Sequence, residues 1–139
     1  AASSELPAAG AWLARDRLGV PLLLVRQEDG SLRAFLNVCR HRGARLLEEG
    51  SGETARAFVC PYHAWTYKPD GALKGVPQEF GFPCLNKEDA GLRRLAVSER
   101  AGFWLLYTPD AADDRPGLAP LGPLHINNTL PARPLHPIL

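Results

Sequence analysis

Cys60-Pro61-Tyr62-His63-Ala64-Trp65-Thr66-Tyr67 is the stretch that decides how this chain is read, and it has a counterpart upstream in Asn37-Val38-Cys39-Arg40-His41-Arg42-Gly43. Each stretch joins one thiol to one imidazole, as Cys39-x-His41 and Cys60-x-x-His63. Eighteen residues lie between His41 and Cys60. That gap is long enough for two facing loops and short enough to keep them together. Two soft and two borderline donors form a metal site before they form anything else.

Mixed donors of this kind leave two kinds of site open. A structural zinc would take all four on one tetrahedral ion. A 2Fe–2S cluster with mixed ligation would take both thiolates on one iron and both imidazoles on the other. Zinc sites usually pair like with like, as Cys-x-x-Cys followed by a spaced His pair. Here each loop carries one Cys and one His, which fits a cluster gripped from two sides.

These loops resemble those of the Rieske domain of ring-hydroxylating oxygenase α subunits, which read N-x-C-x-H-R-G and C-P-Y-H-x-W-x-Y. The resemblance runs from about Leu6 to about Tyr107, through the Asp29-Gly30 and Pro69-Asp70-Gly71 turns. It implies a Rieske-type 2Fe–2S cofactor with Cys39, His41, Cys60 and His63 as ligands. It also implies imidazoles at an exposed tip, so that electrons leave through His41 or His63. Two ferric ions, two sulfides and two thiolates sum to about zero charge, roughly two charges above an all-thiolate cluster. Neutral imidazoles therefore raise the potential, to roughly −150 to +300 mV across such centres.

Flanking residues subdivide the class. Respiratory-chain members carry an extra Cys beside each ligand pair, and here those neighbours are Gly43, Ala44, Tyr62 and Ala64. Their potential-raising hydroxyl donors also lack an obvious counterpart, so a potential near the low end of the range is expected. Arg40 and Arg42 read as contacts for an acidic partner or as an offset to the reduced cluster's negative charge, and alternatively as solvated loop charges or salt-bridge partners of Glu48 or Glu49. Gly43 reads as a close backbone approach to a sulfide or as an ordinary turn glycine, and Pro61 as a stiffener of the second loop or simple turn punctuation. Trp65 reads as a core aromatic sharing a strand face with Tyr67, with a shield for the cluster or an electron path as the alternative, and Tyr62 as cover for the cluster or a partner contact. Cys84 has no partner and reads as a buried small hydrophobe. His125 and His136 lie in a proline-rich context and read as solvent-exposed.

Patterning along the chain is that of short strands. Ala11–Arg15, Leu22–Arg26, Leu32–Val38, Arg56–Val59, Trp65–Lys68, Ala72–Lys74, Leu92–Ser98 and Phe103–Thr108 are β-prone. Asn86–Ala90 reads as one helical turn. Turns fall at Glu28-Asp29-Gly30-Ser31, Pro69-Asp70-Gly71 and Glu99–Gly102. The expected fold is all-β, a small antiparallel β-sandwich or barrel of the Rieske type, with the ligand loops projecting as a cluster-binding subdomain. Residues 1–108 form that domain. Residues 109–139 hold seven of the 13 prolines and read as an irregular tail or linker remnant, since proline opposes helix interiors and central strands.

Bulk composition narrows the function. The chain has 139 residues and 45% hydrophobic content, which suits one domain. A net charge of +1 gives no reason to invoke nucleic acid or a membrane surface. Three cysteines do not make a secreted disulfide framework. The longest notable apolar run, Leu22-Leu23-Leu24-Val25, is far short of a membrane span. No signal peptide is visible, so the expected location is cytoplasmic.

Nothing in the sequence supplies the two His and one carboxylate of a mononuclear iron that could activate oxygen. The resembled subunits carry that site in a catalytic domain absent from this sequence. The chain therefore reads as an electron-transfer component of an oxidoreductase, without a complete catalytic site of its own. Its expected partners are a reductase or ferredoxin donor and a mononuclear-iron domain or subunit as acceptor. The competing readings are a stand-alone Rieske ferredoxin, which its short length favours, and a structural zinc-binding module.

Overall fold

The computed structural model describes residues 2–53 and 55–107. Nine strands follow one another: β1 (Trp12–Arg17), β2 (Val20–Arg26), β3 (Leu32–Leu36), β4 (Gly50–Gly52), β5 (Phe58–Val59), β6 (Thr66–Tyr67), β7 (Leu73–Gly75), β8 (Arg94–Arg100) and β9 (Phe103–Tyr107). Two short 3-10 turns, Ser3–Glu5 and Glu79–Gly81, are the only helical elements among the described residues. Six strands form an antiparallel sheet in the order β4-β1-β2-β3-β8-β9, and β5-β6-β7 form a second sheet. The expected strands are present with ends shifted by a residue or two. Gly50–Gly52 is an additional strand, which its two glycines conceal from any propensity argument. Asn86–Ala90 makes turns and no helix.

Strand β2 explains the apolar run. Leu22, Leu23, Leu24 and Val25 are all at most 2% exposed. Side chains alternate across a strand, and these four divide between two cores. Leu23 and Val25 join Phe35, Phe58, Trp65, Tyr67, Leu73, Cys39 and Cys60 in the core beneath the ligand loops. Leu22 and Leu24 join Leu6, Leu13, Ala34 and Trp104 in a second core on the other face. A central strand covered on both sides needs a continuous apolar run instead of alternation.

The two sheets are tied together by polar contacts at their turns. Gln27, largely buried, donates from Nε2 to the Val25 and Pro69 carbonyls at 3.2 and 3.1 Å. Arg33 donates to the Asp70 carbonyl, and the Leu92 N–H donates to the Gly71 carbonyl at 2.8 Å. Gly71 is constrained twice: its φ is +90°, and a Cβ there would lie 2.4 Å from the Phe35 ring. These ties set the hairpin carrying the second ligand loop against the sheet carrying the first.

Candidate metal centre

Both ligand loops are closed by the same hydrogen-bond device. In the first, the Cys39 N–H donates to the Ala44 carbonyl at 2.7 Å and the Gly43 N–H returns to the Cys39 carbonyl at 3.0 Å. In the second, the Cys60 N–H donates to the Trp65 carbonyl at 2.8 Å and the Ala64 N–H returns to the Cys60 carbonyl at 2.9 Å. The fourth residue past each cysteine has positive φ, +71° at Gly43 and +55° at Ala64. One turn is thus used twice, although the histidines stand at different offsets. A Cβ at Gly43 would meet no protein atom within 4 Å. The positive φ is a backbone conformation that favours glycine, and no protein atom crowds the position.

Asn37 anchors the base of the first loop. It is 1% exposed, a burial an amide tolerates only when hydrogen-bonded. Its Nδ2 donates to the Leu47 carbonyl at 2.7 Å, and its Oδ1 accepts from the Leu47 N–H at 3.1 Å. Its backbone N–H reaches the Pro21 carbonyl on β2. The side chain therefore completes the rung that closes the loop. The residue is visible in the sequence pattern, but its role is not.

The sulfurs and the rings separate by depth. Cys39 and Cys60 are each 2% exposed, whereas His63 is exposed and His41 half-buried. The His41 and His63 rings lie 4.7 Å apart between centroids, inclined at 64°. Burial pushes the Cys39 thiol up, partly offset by the hydrogen bond from Tyr67. Burial, with smaller contributions from His63 and Arg42, pushes His41 down, towards the neutral form that can ligate a metal. His41 Nδ1 is shielded from solvent and has no hydrogen-bond partner. An orphaned buried acceptor is costly, and a metal ion is the partner that would satisfy it. Among the described residues, no three His, Cys, Asp or Glu side chains group to hold a single ion. Two thiols at depth and two imidazoles nearer the surface are the donor types that a mixed-ligand two-iron cluster would take.

Tyr67 supplies what was expected to be missing. It is fully buried, and its hydroxyl lies 3.3 Å from Cys39 Sγ. The same oxygen accepts the Arg40 N–H at 3.0 Å, which leaves its proton free for the sulfur. Burial, followed by the contact with Cys39, raises the phenol well above its ordinary value, so it stays a donor. The expectation of no hydroxyl donor is therefore corrected. Sequence spacing hid it because Tyr67 belongs to the second loop and serves the cysteine of the first.

The remaining residues fall out individually. Trp65 is buried, as expected, but it precedes β6, and its ring stacks on His41 at 4.9 Å and 5°. Tyr62 is 60% exposed and lies over His63 at 3.8 Å. Arg40 and Arg42 are exposed; no ion pair joins them to Glu48 or Glu49 among the described residues. The basic residue that is paired here is Arg45, with Asp16 at 2.6 Å. Cys84 is exposed, which corrects the expectation of burial: it sits in an irregular stretch whose core contacts come from Phe82 and Leu85 instead. His125, His136 and the proline-rich segment lie outside the described residues.

An all-β scaffold presenting two matched turns, each with one cysteine and one histidine, defines a cluster-binding domain. The chain belongs to the Rieske [2Fe-2S] domain family, whose model matches residues 1–86. Membership implies a Rieske 2Fe–2S cluster as cofactor. The carnitine monooxygenase oxygenase subunit of Acinetobacter baumannii is 39% identical over 121 residues, covering 84% of this chain and 32% of that protein. The chlorobenzene dioxygenase α subunit of a Cupriavidus species is 51% identical over 84 residues, covering 60% of this chain and 18% of that one. The structure of naphthalene 1,2-dioxygenase with indole bound superposes with a TM-score of 0.70 at 39% identity, over 76% of this chain and 24% of that one. The chain thus spans about a third or less of the relatives it matches. Strands β8 and β9 lie beyond the residues that the family model matches and complete the six-stranded sheet.

Proposed function

We propose that this chain is the one-electron carrier of an oxygenase system, with Cys39 and Cys60 on the inner iron and His41 and His63 on the outer iron of a Rieske cluster. The observation that carries the ligand assignment is the pairing itself: two buried thiols and two adjoining imidazoles, one of them with a solvent-shielded nitrogen that has no hydrogen-bond partner among the described residues. When bound, the cluster would supply storage for a single electron at a potential between those of a reductase and an oxygen-activating iron. The protein's part is to hold the two loops rigid, to keep water from the sulfurs and to leave one imidazole accessible. His63 is the exposed ring and is the side from which a partner would take the electron.

The relatives are oxygenase subunits, which supports a reductase or ferredoxin as donor and a mononuclear iron on another domain or chain as acceptor. Residues 1–108 form the carrier domain, because β8 and β9 are integral to its main sheet. The cytoplasm, where unpaired thiols stay reduced, is its location. The test is reconstitution with iron and sulfide, followed by reduction with a ferredoxin–reductase pair. The expected result is a single-electron uptake with bleaching of the visible bands. A protein that takes up zinc and neither iron nor sulfide would refute the proposal.

A further inference from the structure

We propose that Phe82 is a positioning residue for the metal centre: from outside both ligand loops, it closes the edge of the His41–Trp65 stack and fixes the plane of the His41 ring. The inference rests on the reading of His41 as a cluster ligand. It begins from an asymmetry between the two imidazoles. His63 is exposed and, among the described residues, meets the rings of Tyr62 and His41 alone. His41 is enclosed on three sides. Trp65 stacks on its face at 4.9 Å and 5°. Phe82 meets its edge at 5.7 Å and 86° and meets Trp65 at 5.7 Å and 81°. His63 completes the ring of contacts. Edge-to-face and offset-stacked geometries are the favoured aromatic arrangements, so the set holds one imidazole orientation in place.

Phe82 is itself held for this purpose. The 3-10 turn Glu79–Gly81 ends on it, with the Phe82 N–H donating to the Glu79 carbonyl at 2.9 Å. The Phe82 carbonyl accepts the Leu85 N–H at 3.0 Å. Lys87 pairs with Glu79 at 2.7 Å across the base of the segment. Ala90 and Leu92 sink its far end into the core, and Leu92 is tied to Gly71. Its neighbour Phe80, 87% exposed, makes no such contact among the described residues and serves as an internal comparison. The ligand loops supply the face contact from Trp65 and the contact with His63, but the edge of the stack is open to them. Phe82, carried by the segment from Pro77 to Gly91, closes that edge.

The test compares Phe82→Leu, Phe82→Met and Phe82→Tyr with Phe80→Leu in cluster-loaded protein. The readout is pulsed paramagnetic resonance of the reduced centre with 15N-labelled histidine. The expected result for Phe82→Leu is a change in one of the two histidine nitrogen couplings and broadened resonance lines, with the other coupling unchanged. Phe82→Tyr and Phe80→Leu should match the wild type. Phe82→Met, which fills volume without a ring, should behave like Phe82→Leu and gives the reading if the leucine variant fails to load. Unaltered couplings in Phe82→Leu, or equal changes in both, would overturn the proposal. So would loss of the centre in both Leu and Met variants, which would make Phe82 a folding residue. A wild-type protein lacking histidine couplings altogether would refute the ligand reading first, and this proposal with it.

Discussion

Removing one oxygen atom from Tyr67 isolates the hydrogen bond to Cys39. The Tyr67→Phe change keeps the ring, which is fully buried and packed beneath both loops, and deletes only the hydroxyl at 3.3 Å from the sulfur. A hydrogen bond to a charged acceptor contributes roughly 1.5–3 kcal/mol. It is present in both oxidation states, so only the difference counts. Adding an electron increases negative charge on the sulfurs, and a difference of about 1–2 kcal/mol in favour of the reduced state is reasonable for a short bond in a low-dielectric setting. At 59 mV per 1.4 kcal/mol for one electron, this is a fall of roughly 40–85 mV on substitution. The assay is redox titration of the loaded protein followed by visible absorbance, with Tyr62→Phe as a control that should not move. A shift smaller than about 10 mV, or a rise, would refute the assignment of Tyr67 as donor.

Further expectations concern stability and can be read by chemical denaturation or calorimetry. Asn37→Ala removes two hydrogen bonds and leaves the Leu47 N–H and carbonyl without their partner. It should cost about 2–4 kcal/mol and lower iron retention, and an unchanged midpoint would contradict the anchoring role. Ala64→Gly should stabilise by about 1 kcal/mol, since the native residue holds a left-handed conformation at φ +55°; a net loss would mean that the Ala64 methyl packs productively. Cys84→Ser should leave iron content unchanged and stability within about 0.5 kcal/mol, because the side chain is exposed. Arg26 holds Glu99 down to about 2 from its ordinary 4.5, through a two-pronged pair at 2.5 and 2.9 Å. A depressed carboxylate contributes stability that is present above its unfolded value and lost as pH falls from about 4.5 through about 2. Glu99→Gln should flatten that part of the acid-stability curve, and an identical acid limb in the variant would rule the pair out as its source.

How much of this was legible in the sequence depends on how local the cause is. Cys39, His41, Cys60 and His63 stand out as candidate ligands because ligand spacing is a property of one loop at a time. Turn residues such as Asp29-Gly30 and Pro69-Asp70-Gly71 placed the hairpins for the same reason. Tyr67, Asn37 and Phe82 act across elements: Tyr67 serves the cysteine of the other loop, Asn37 closes a rung ten residues away, and Phe82 reaches His41 from a segment without regular structure. No periodicity reports such contacts. Cys84 was misjudged because a lone cysteine carries no pattern, and residue-type statistics favoured burial. Leu22–Val25 was visible as an apolar run, but only the packing shows it feeding two cores.

The central claim is that two matched loops hold a bridged pair of irons, with thiolates on one atom and imidazoles on the other. Iron, zinc and acid-labile sulfide assays on the purified chain, with a resonance spectrum after reduction, test it most directly. The account predicts about two irons and two sulfides per chain and a reduced-state signal coupled to two histidine nitrogens. One zinc per chain with no sulfide, or a signal without nitrogen coupling, would contradict it.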